Sequence, residues 1–355
     1  DTAFVNVFMV GVGLIGSTLL KQIKAHAEFL KKEHSLEVKV VGLANSKRML
    51  FNENGIDLDN WRDQLSSSET PMKINNFVEK MKSMNLSSSI FVDNTANEQI
   101  AKHYNEVLDA SISISTPNKI ATSSAYEQYL QLKKTAKKRG ILFLYETNVG
   151  AGLPIIDTVK NLIASGDKVN KIQAVLSGSL NFIFNNFDEN NSFHDVVKEA
   201  GVQGFTEPDP KIDLSGVDVA RKILILIRES GYQMEIEDIA NQSFLPAACM
   251  ETKNNEDFFK SLLTHANHFE ALLAEAKQKD SRLKFVAQFE NGKASVGLQF
   301  IPKDHPFYNL EGKDNIVLFY TDRYVDQPLL IKGAGAGAAV TASGIFADVI
   351  RIGNI

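Results

Sequence analysis

The chain has 355 residues, with 38 Lys and Arg against 43 Asp and Glu, a formal net charge of −5. At about 100–200 residues per domain, that length points to two domains. A mildly acidic chain with no long basic run lacks the phosphate footprint of a general nucleic-acid binder. No run of about 18 apolar residues is present to span a bilayer, and no basic segment leads an apolar one as in a secretory signal. A single cysteine, Cys249, excludes an intrachain disulfide or a cysteine zinc site and fits a reducing, cytoplasmic setting. The chain opens at Asp1 rather than Met, as a processed product or a domain of a longer chain would.

Residues 4–10 are mostly β-branched or aromatic and predict a buried strand. A glycine-rich turn follows, then a helix over 17–32 and a second strand over 36–44. This is the opening of a doubly wound α/β fold. Short strands over 88–93, 111–115 and 141–145 alternate with helices over 98–109 and 124–139. Residues 1–150 are therefore expected to form a parallel sheet with helices on both faces, a Rossmann-type domain. The pattern changes near Gly150-Ala151-Gly152. A helix after Pro154, a strand over 171–176 and helices over 193–200, 217–230 and 257–276 follow. Then Leu283, Phe285, Ala287 and Phe289 alternate with polar residues, Asn291-Gly292 turns the chain, and Val296, Leu298 and Phe300 return. That is a hairpin signal. Residues 151–330 are expected to be an α+β domain with a mixed sheet, and 331–355 a Gly/Ala-rich stretch leading into an apolar helix.

The turn Gly11-Val12-Gly13-Leu14-Ile15-Gly16 matches the dinucleotide fingerprint. Gly11 permits the tight turn, Gly13 lets backbone approach a pyrophosphate, and Gly16 lets helix pack on strand. The helix N-terminus then offers free N–H groups to the phosphates. The second strand ends in Asn45-Ser46-Lys47-Arg48, without the acid that would select NAD by binding the ribose 2′-OH. Two cations and two hydrogen-bonding side chains suit a 2′-phosphate, so NADP(H) is expected over NAD(H).

Three polar segments are candidates for chemistry. Lys119 follows an apolar strand, where ligands of open α/β sheets bind, so it is placed to hold a substrate carboxylate or relay a proton. Residues 206–213 carry Glu207, Asp209 and Asp213 together with Pro208 and Pro210, and the two prolines predict an extended segment that is neither strand nor helix. Asp218 and Lys222 lie four apart on one helix face. Ile223-Leu224-Ile225-Leu226-Ile227 is apolar on every side, which predicts a buried Asp218–Lys222 pair suited to substrate binding and proton transfer. His265 and His268 share a helix but have no third ligand nearby, so no metal site is expected there.

Taken together, the glycine-rich turn, Thr116-Pro117-Asn118-Lys119, Asn148-Val149-Gly150-Ala151-Gly152-Leu153-Pro154, Ser177-Gly178-Ser179-Leu180, the 206–222 block and Gly333-Ala334-Gly335-Ala336-Gly337 resemble homoserine dehydrogenase along the whole chain. Ala44-Asn45-Ser46-Lys47 and Asp59-Asn60-Trp61 are most similar to the dehydrogenase half of bifunctional aspartokinase–homoserine dehydrogenases. The resemblance implies reversible, NADPH-dependent reduction of L-aspartate 4-semialdehyde to L-homoserine, in threonine and methionine synthesis. It implies Lys222 as proton donor to the carbonyl oxygen, with Lys119, which would contact substrate and nicotinamide, competing for that role. Glu207 would bind the substrate amino group, with Asp213 and Asp218 lining the pocket. Thr95 would lie near the nicotinamide, and Gly337 would close on the cofactor, returning residues 331–355 to the first domain. Glu146, Val149, Ala151 and Leu153 would form a sodium site built largely from carbonyl oxygens. A homodimer through the second domain and a fused N-terminal aspartokinase domain are the implied partners. Phe205 stands where many relatives have Tyr, Ile120 where Lys is frequent, and Ile212 where Asp is common.

Two other readings compete. Aspartate-semialdehyde dehydrogenase needs a cysteine thiolate, and Cys249 lies in no such motif. A non-catalytic NADP-sensing module would keep residues 11–16 but has no need of Lys119, Glu207, Asp218 and Lys222 together.

Overall fold

A computed structural model describes residues 1–354. The chain folds into two compact units, residues 1–152 with the segment from Gly337, and residues 153–336.

The first unit is built on β1 (Ala3–Val10), β2 (Leu36–Ala44), β3 (Met49–Phe51), β4 (Ser89–Asp93), β5 (Ser113–Ser115) and β6 (Phe143–Leu144), in the order β3-β2-β1-β4-β5-β6. All pairs are parallel except β2–β3, a short antiparallel edge that the sequence reading did not contain. Residues from Val5 to Val10 are all buried, polar Asn6 included, as expected of a strand with helices on either side. Val10 pairs with both Ala44 and Asp93, so three strands end level and their following loops lie side by side at one edge. The helices are α1 (Leu14–His34), α2 (Trp61–Ser66), α3 (Ile74–Met84), α4 (Glu98–Ala101), α5 (Tyr104–Asp109) and α6 (Tyr126–Arg139). The single helix expected over 98–109 is broken: Asn97 caps α4, and a turn at His103 restarts the chain as α5, with Tyr104 facing inward. α1 stops at Ser35, whose left-handed backbone (φ 49°) returns its N–H to Leu30 O.

The second unit contains α7 (Ile156–Ala164), β7 (Val169–Val175), α8 (Gly178–Asn186), α9 (Phe193–Val202), α10 (Pro210–Leu214), α11 (Val217–Glu229), β8 (Ile239–Gln242), α12 (Ala247–Met250), α13 (Asn255–Thr264), α14 (Ala266–Gln278), β9 (Ser281–Glu290), β10 (Lys293–Pro302), β11 (Asp314–Thr321) and β12 (Leu329–Ala334). Its sheet runs β12-β11-β7-β9-β10-β8 and is mixed, with only β8–β10 parallel. The β9–β10 hairpin turns on Asn291 (φ 54°) and Gly292 (φ 75°), the two left-handed residues that a tight hairpin demands. The helix expected over 257–276 is two helices that part at His265.

α15 (Ala338–Gly353) belongs to the first unit, where Ala342, Ile345 and Val349 share a core with Leu19, Leu20 and Ile23 of α1. Among the described residues, no helix is long and apolar enough to cross a membrane.

Candidate active site

The turn after β1 has the geometry its glycines suggest. Gly11 takes φ +96° and donates its N–H to Ala44 O at 2.9 Å. A Cβ on Gly16 would run into the Gly11 carbonyl, whereas one on Gly13 would meet nothing within 4 Å. α1 begins at Gly13 without a side-chain cap. Its first N–H groups and the positive end of a 21-residue helix therefore face the turn. Val12 and Ile15 pack against the core, while Leu14 is largely exposed.

A cavity of about 390 Å³ opens here, lined by Gly11, Gly13, Asn45, Ser46 and Arg62 among others. Asn45 uses Oδ1 to accept the N–H groups of Lys47 (2.8 Å) and Arg48 (2.7 Å), fixing the turn. Lys47 and Arg48 are exposed on that turn, and the cation on the cavity wall is Arg62 of α2, stacked on Trp61 at 4.6 Å. Sequence reasoning missed Arg62, since no local motif marks it. Free N–H groups, open space at Gly13 and a guanidinium fit a dinucleotide phosphate.

The loops after β4 and β5 are tied together by Asp93, which is fully buried. Its carboxylate accepts from Thr95 N (2.9 Å), Thr95 Oγ1 (2.7 Å), Tyr104 Oη (2.5 Å) and Asn118 Nδ2 (3.0 Å). Burial pushes its pKa up, against the pull of these donors. Thr95 and the residue before Lys119 are thus held by one carboxylate. Lys119 is half-buried, and its carbonyl accepts from Ser123 N (3.1 Å) and Oγ (2.6 Å).

Glu146, Val149 and Ala151 lie on one turn of the first unit, and Leu153 opens the second. Glu146 is mostly buried and donates its N–H to Asp348 Oδ2 (3.1 Å). Gly150 (φ 74°) and Ala151 (φ 52°) are both left-handed. Thr147 Oγ1 is buried in this turn without a hydrogen-bond partner. A buried carboxylate, an unsatisfied hydroxyl and backbone carbonyls are hard oxygen donors of the kind a sodium ion takes. Gly337 (φ +124°) is exposed at the N-terminus of α15.

In the second unit, Lys222 Nζ lies 2.9 Å from Asp218 Oδ2 and 2.9 Å from Leu176 O. The Lys222 side chain is 16% exposed and that of Asp218 is 46%, so the lysine is largely covered but the pair is not buried as expected. The wholly apolar part of α11 begins one residue after Lys222, and on the first turn Val219 and Ala220 are buried while Val217, beside Asp218, is exposed. Residues 210–214 are helical, a second departure from expectation. Asp209 caps Lys211 N (3.0 Å) and Pro210 occupies the first helical position, where its missing N–H is harmless. This short helix brings Asp213 back to accept Glu207 N (2.8 Å) and Ser179 Oγ (3.0 Å). Burial raises the Asp213 pKa. The Glu207 side chain is exposed. Phe205 packs on Phe182 (4.8 Å) and carries the Lys313 ammonium over its ring (4.7 Å). His265 and His268 bond to Ser261 O and Phe244 O, and no metal-holding group of three His, Cys, Asp or Glu occurs among the described residues.

The first unit has the fold and glycine-rich turn of a dinucleotide-binding domain, and the second is an α+β unit with an ion-paired lysine. The family model for homoserine dehydrogenase matches residues 154–350, and that for the homoserine dehydrogenase NAD binding domain matches residues 11–146. The chain belongs to the homoserine dehydrogenase family. It is 41% identical over 349 residues to bifunctional aspartokinase/homoserine dehydrogenase 2, chloroplastic, of Arabidopsis thaliana, covering 98% of this chain but 38% of that protein. Against homoserine dehydrogenase of Schizosaccharomyces pombe it is 38% identical, covering 98% and 95%. The crystal structure of a Candida auris protein of unknown function matches with a TM-score of 0.91 and 36% identity, over 99% and 98% of the two chains.

Proposed function

We propose that the chain catalyses reversible, NADPH-dependent reduction of L-aspartate 4-semialdehyde to L-homoserine. The observation that carries this reading is the Lys222 ammonium, held by Asp218 and Leu176 O, in the same unit as the Glu207–Asp213 segment. The substrate brings an ammonium group, which Glu207 and Asp213 suit, and an aldehyde oxygen that gains negative charge on reduction. The bound nicotinamide supplies the hydride. Lys222 donates the proton to that oxygen, and Asp218 orients its ammonium. Lys119 is the alternative donor, with Asp93 holding Thr95 and Asn118 in place.

Arg62, Asn45 and Ser46 favour NADP over NAD, with Lys47 and Arg48 adding positive charge beside the turn. Residues 11–16 would cradle the pyrophosphate, and Thr95 and Gly337 would flank the cofactor. Glu146, with the carbonyls of Val149, Ala151 and Leu153, would hold sodium. We further propose a homodimer through the second unit and a reducing, cytosolic compartment. The aspartokinase half of bifunctional relatives is the partner domain to seek in the full-length polypeptide.

Homoserine-dependent reduction of NADP and of NAD, followed at 340 nm in alkaline buffer, tests the reading. Turnover preferring NADP is expected. Turnover preferring NAD would overturn the cofactor assignment alone, and cofactor binding without turnover would overturn the reaction.

A further inference from the structure

Lys284 sits within β9 opposite Gln299 of β10, where strand alternation predicts an outward side chain, yet the residue is 1% exposed. Its ammonium donates to Asn181 Oδ1 (3.0 Å), Asn185 Oδ1 (2.7 Å) and Leu310 O (2.6 Å). All three partners are neutral. Burial, helped by Arg282, brings its pKa down to about 8. An apolar side chain of similar volume would fill such a position without the desolvation of a charge.

What the ammonium joins is specific. Asn181 and Asn185 lie on α8 and also donate their amides to the 310–312 segment, at Gly312 O (3.2 and 3.1 Å) and Leu310 O (3.1 Å). The next residue, Lys313, packs its backbone where a Gly178 Cβ would lie 3.1 Å away, and extends its ammonium over Phe205, two residues before Glu207. At the start of α8, Leu176 O holds Lys222 and Ser179 Oγ holds Asp213, which in turn holds Glu207 N.

We propose that Lys284 is a positioning residue, whose ammonium clamps α8 to the 310–313 segment and thereby sets Lys222, Asp213 and Glu207 relative to one another. The inference rests on reading those three as the substrate-facing groups, and its test has an arm independent of that reading.

In Lys284→Met, amide hydrogen exchange over residues 176–186 and 205–213 should accelerate about tenfold, the scale of one lost hydrogen bond to a charged group, while β1, β2 and β4 exchange as in the wild type. The value of kcat/KM for homoserine should fall by a similar factor, with Kd for NADPH unchanged. Unaltered exchange in the two segments would overturn the proposal, whether or not the wild type turns over homoserine. A wild type inactive with homoserine would overturn the reaction instead. If Lys284→Met does not fold, Asn185→Ala keeps the lysine and two of its acceptors. A smaller acceleration in the same segments supports the clamp, and wild-type exchange there refutes it.

Discussion

Gly16 leaves no room for a side chain beside Gly11: a Cβ there would run into the Gly11 carbonyl oxygen and lie 2.9 Å from its carbon. Gly13 has open space at the same place and an ordinary extended backbone. The two glycines therefore serve different ends, one close packing and the other ligand approach. Gly16→Ala should destabilise the fold by about 1–3 kcal/mol through overpacking. Gly13→Ala should melt like the wild type yet bind NADPH more weakly. Thermal midpoints and cofactor titration of both variants check this, and equal effects on stability would refute the division.

Lys222→Ala should lower kcat by about 10²–10⁴, the range for a lost general acid, with near-normal NADPH affinity. Asp218 and Leu176 O, which hold the ammonium, belong to the second unit, whereas the glycine turn belongs to the first. Steady-state kinetics with homoserine decide the matter. Undiminished turnover would move the proton to Lys119.

Glu207→Ala should mainly raise KM for the amino acid. Its backbone N–H is already fixed by Asp213, so losing the side chain leaves the segment in place and removes only the exposed carboxylate. A normal KM would take Glu207 out of the pocket.

Elements with local signals were legible in the sequence. β1 and β2 are apolar runs beside the glycine turn, and the β9–β10 hairpin follows from Asn291-Gly292. What was hidden depends on distant contacts. Arg62 reaches its cavity only because α2 lies beside the β1 turn. Asp93 looks like an ordinary polar strand end until Tyr104 and Asn118 close over it. Lys284 occupies an outward position of its strand, but α8 and the 310–312 segment cover that face. In residues 206–213 the prolines suggested an extended chain, although Asp-Pro is also a capped helix start.

Arg62→Ala should weaken NADP binding by roughly tenfold or more, as expected for one charge-assisted hydrogen bond of about 1.5–3 kcal/mol, and leave NAD binding little changed. The loss should shrink at high salt if the guanidinium acts as an exposed charge. Dissociation constants for both cofactors in wild type and variant test this, and equal losses for the two would show that Arg62 acts through packing on Trp61 instead.

Asp93 makes a prediction whose sign is opposite to that of most structural carboxylates. Its pKa is raised by burial, so the folded protein binds this proton more tightly than the unfolded chain does. The contribution of Asp93 to stability is then greatest at low pH and declines as pH rises from about 3.8 through the raised value. Asp93→Asn removes the titration, but turns an amide N–H₂ toward donors from Thr95, Tyr104 and Asn118. It should destabilise the protein by about 1–3 kcal/mol at neutral pH for the groups left unpaired. All other carboxylates are common to both proteins, so the difference between them isolates this one. Denaturation midpoints at pH 7, 5 and 4 should show the advantage of wild type over variant widening on acidification. A narrowing advantage would mean that the hydrogen bonds outweigh burial and hold the carboxyl below its usual range. Asp93 would then be a stabilising anion rather than a burdened one that organises the Thr95 and Lys119 loops.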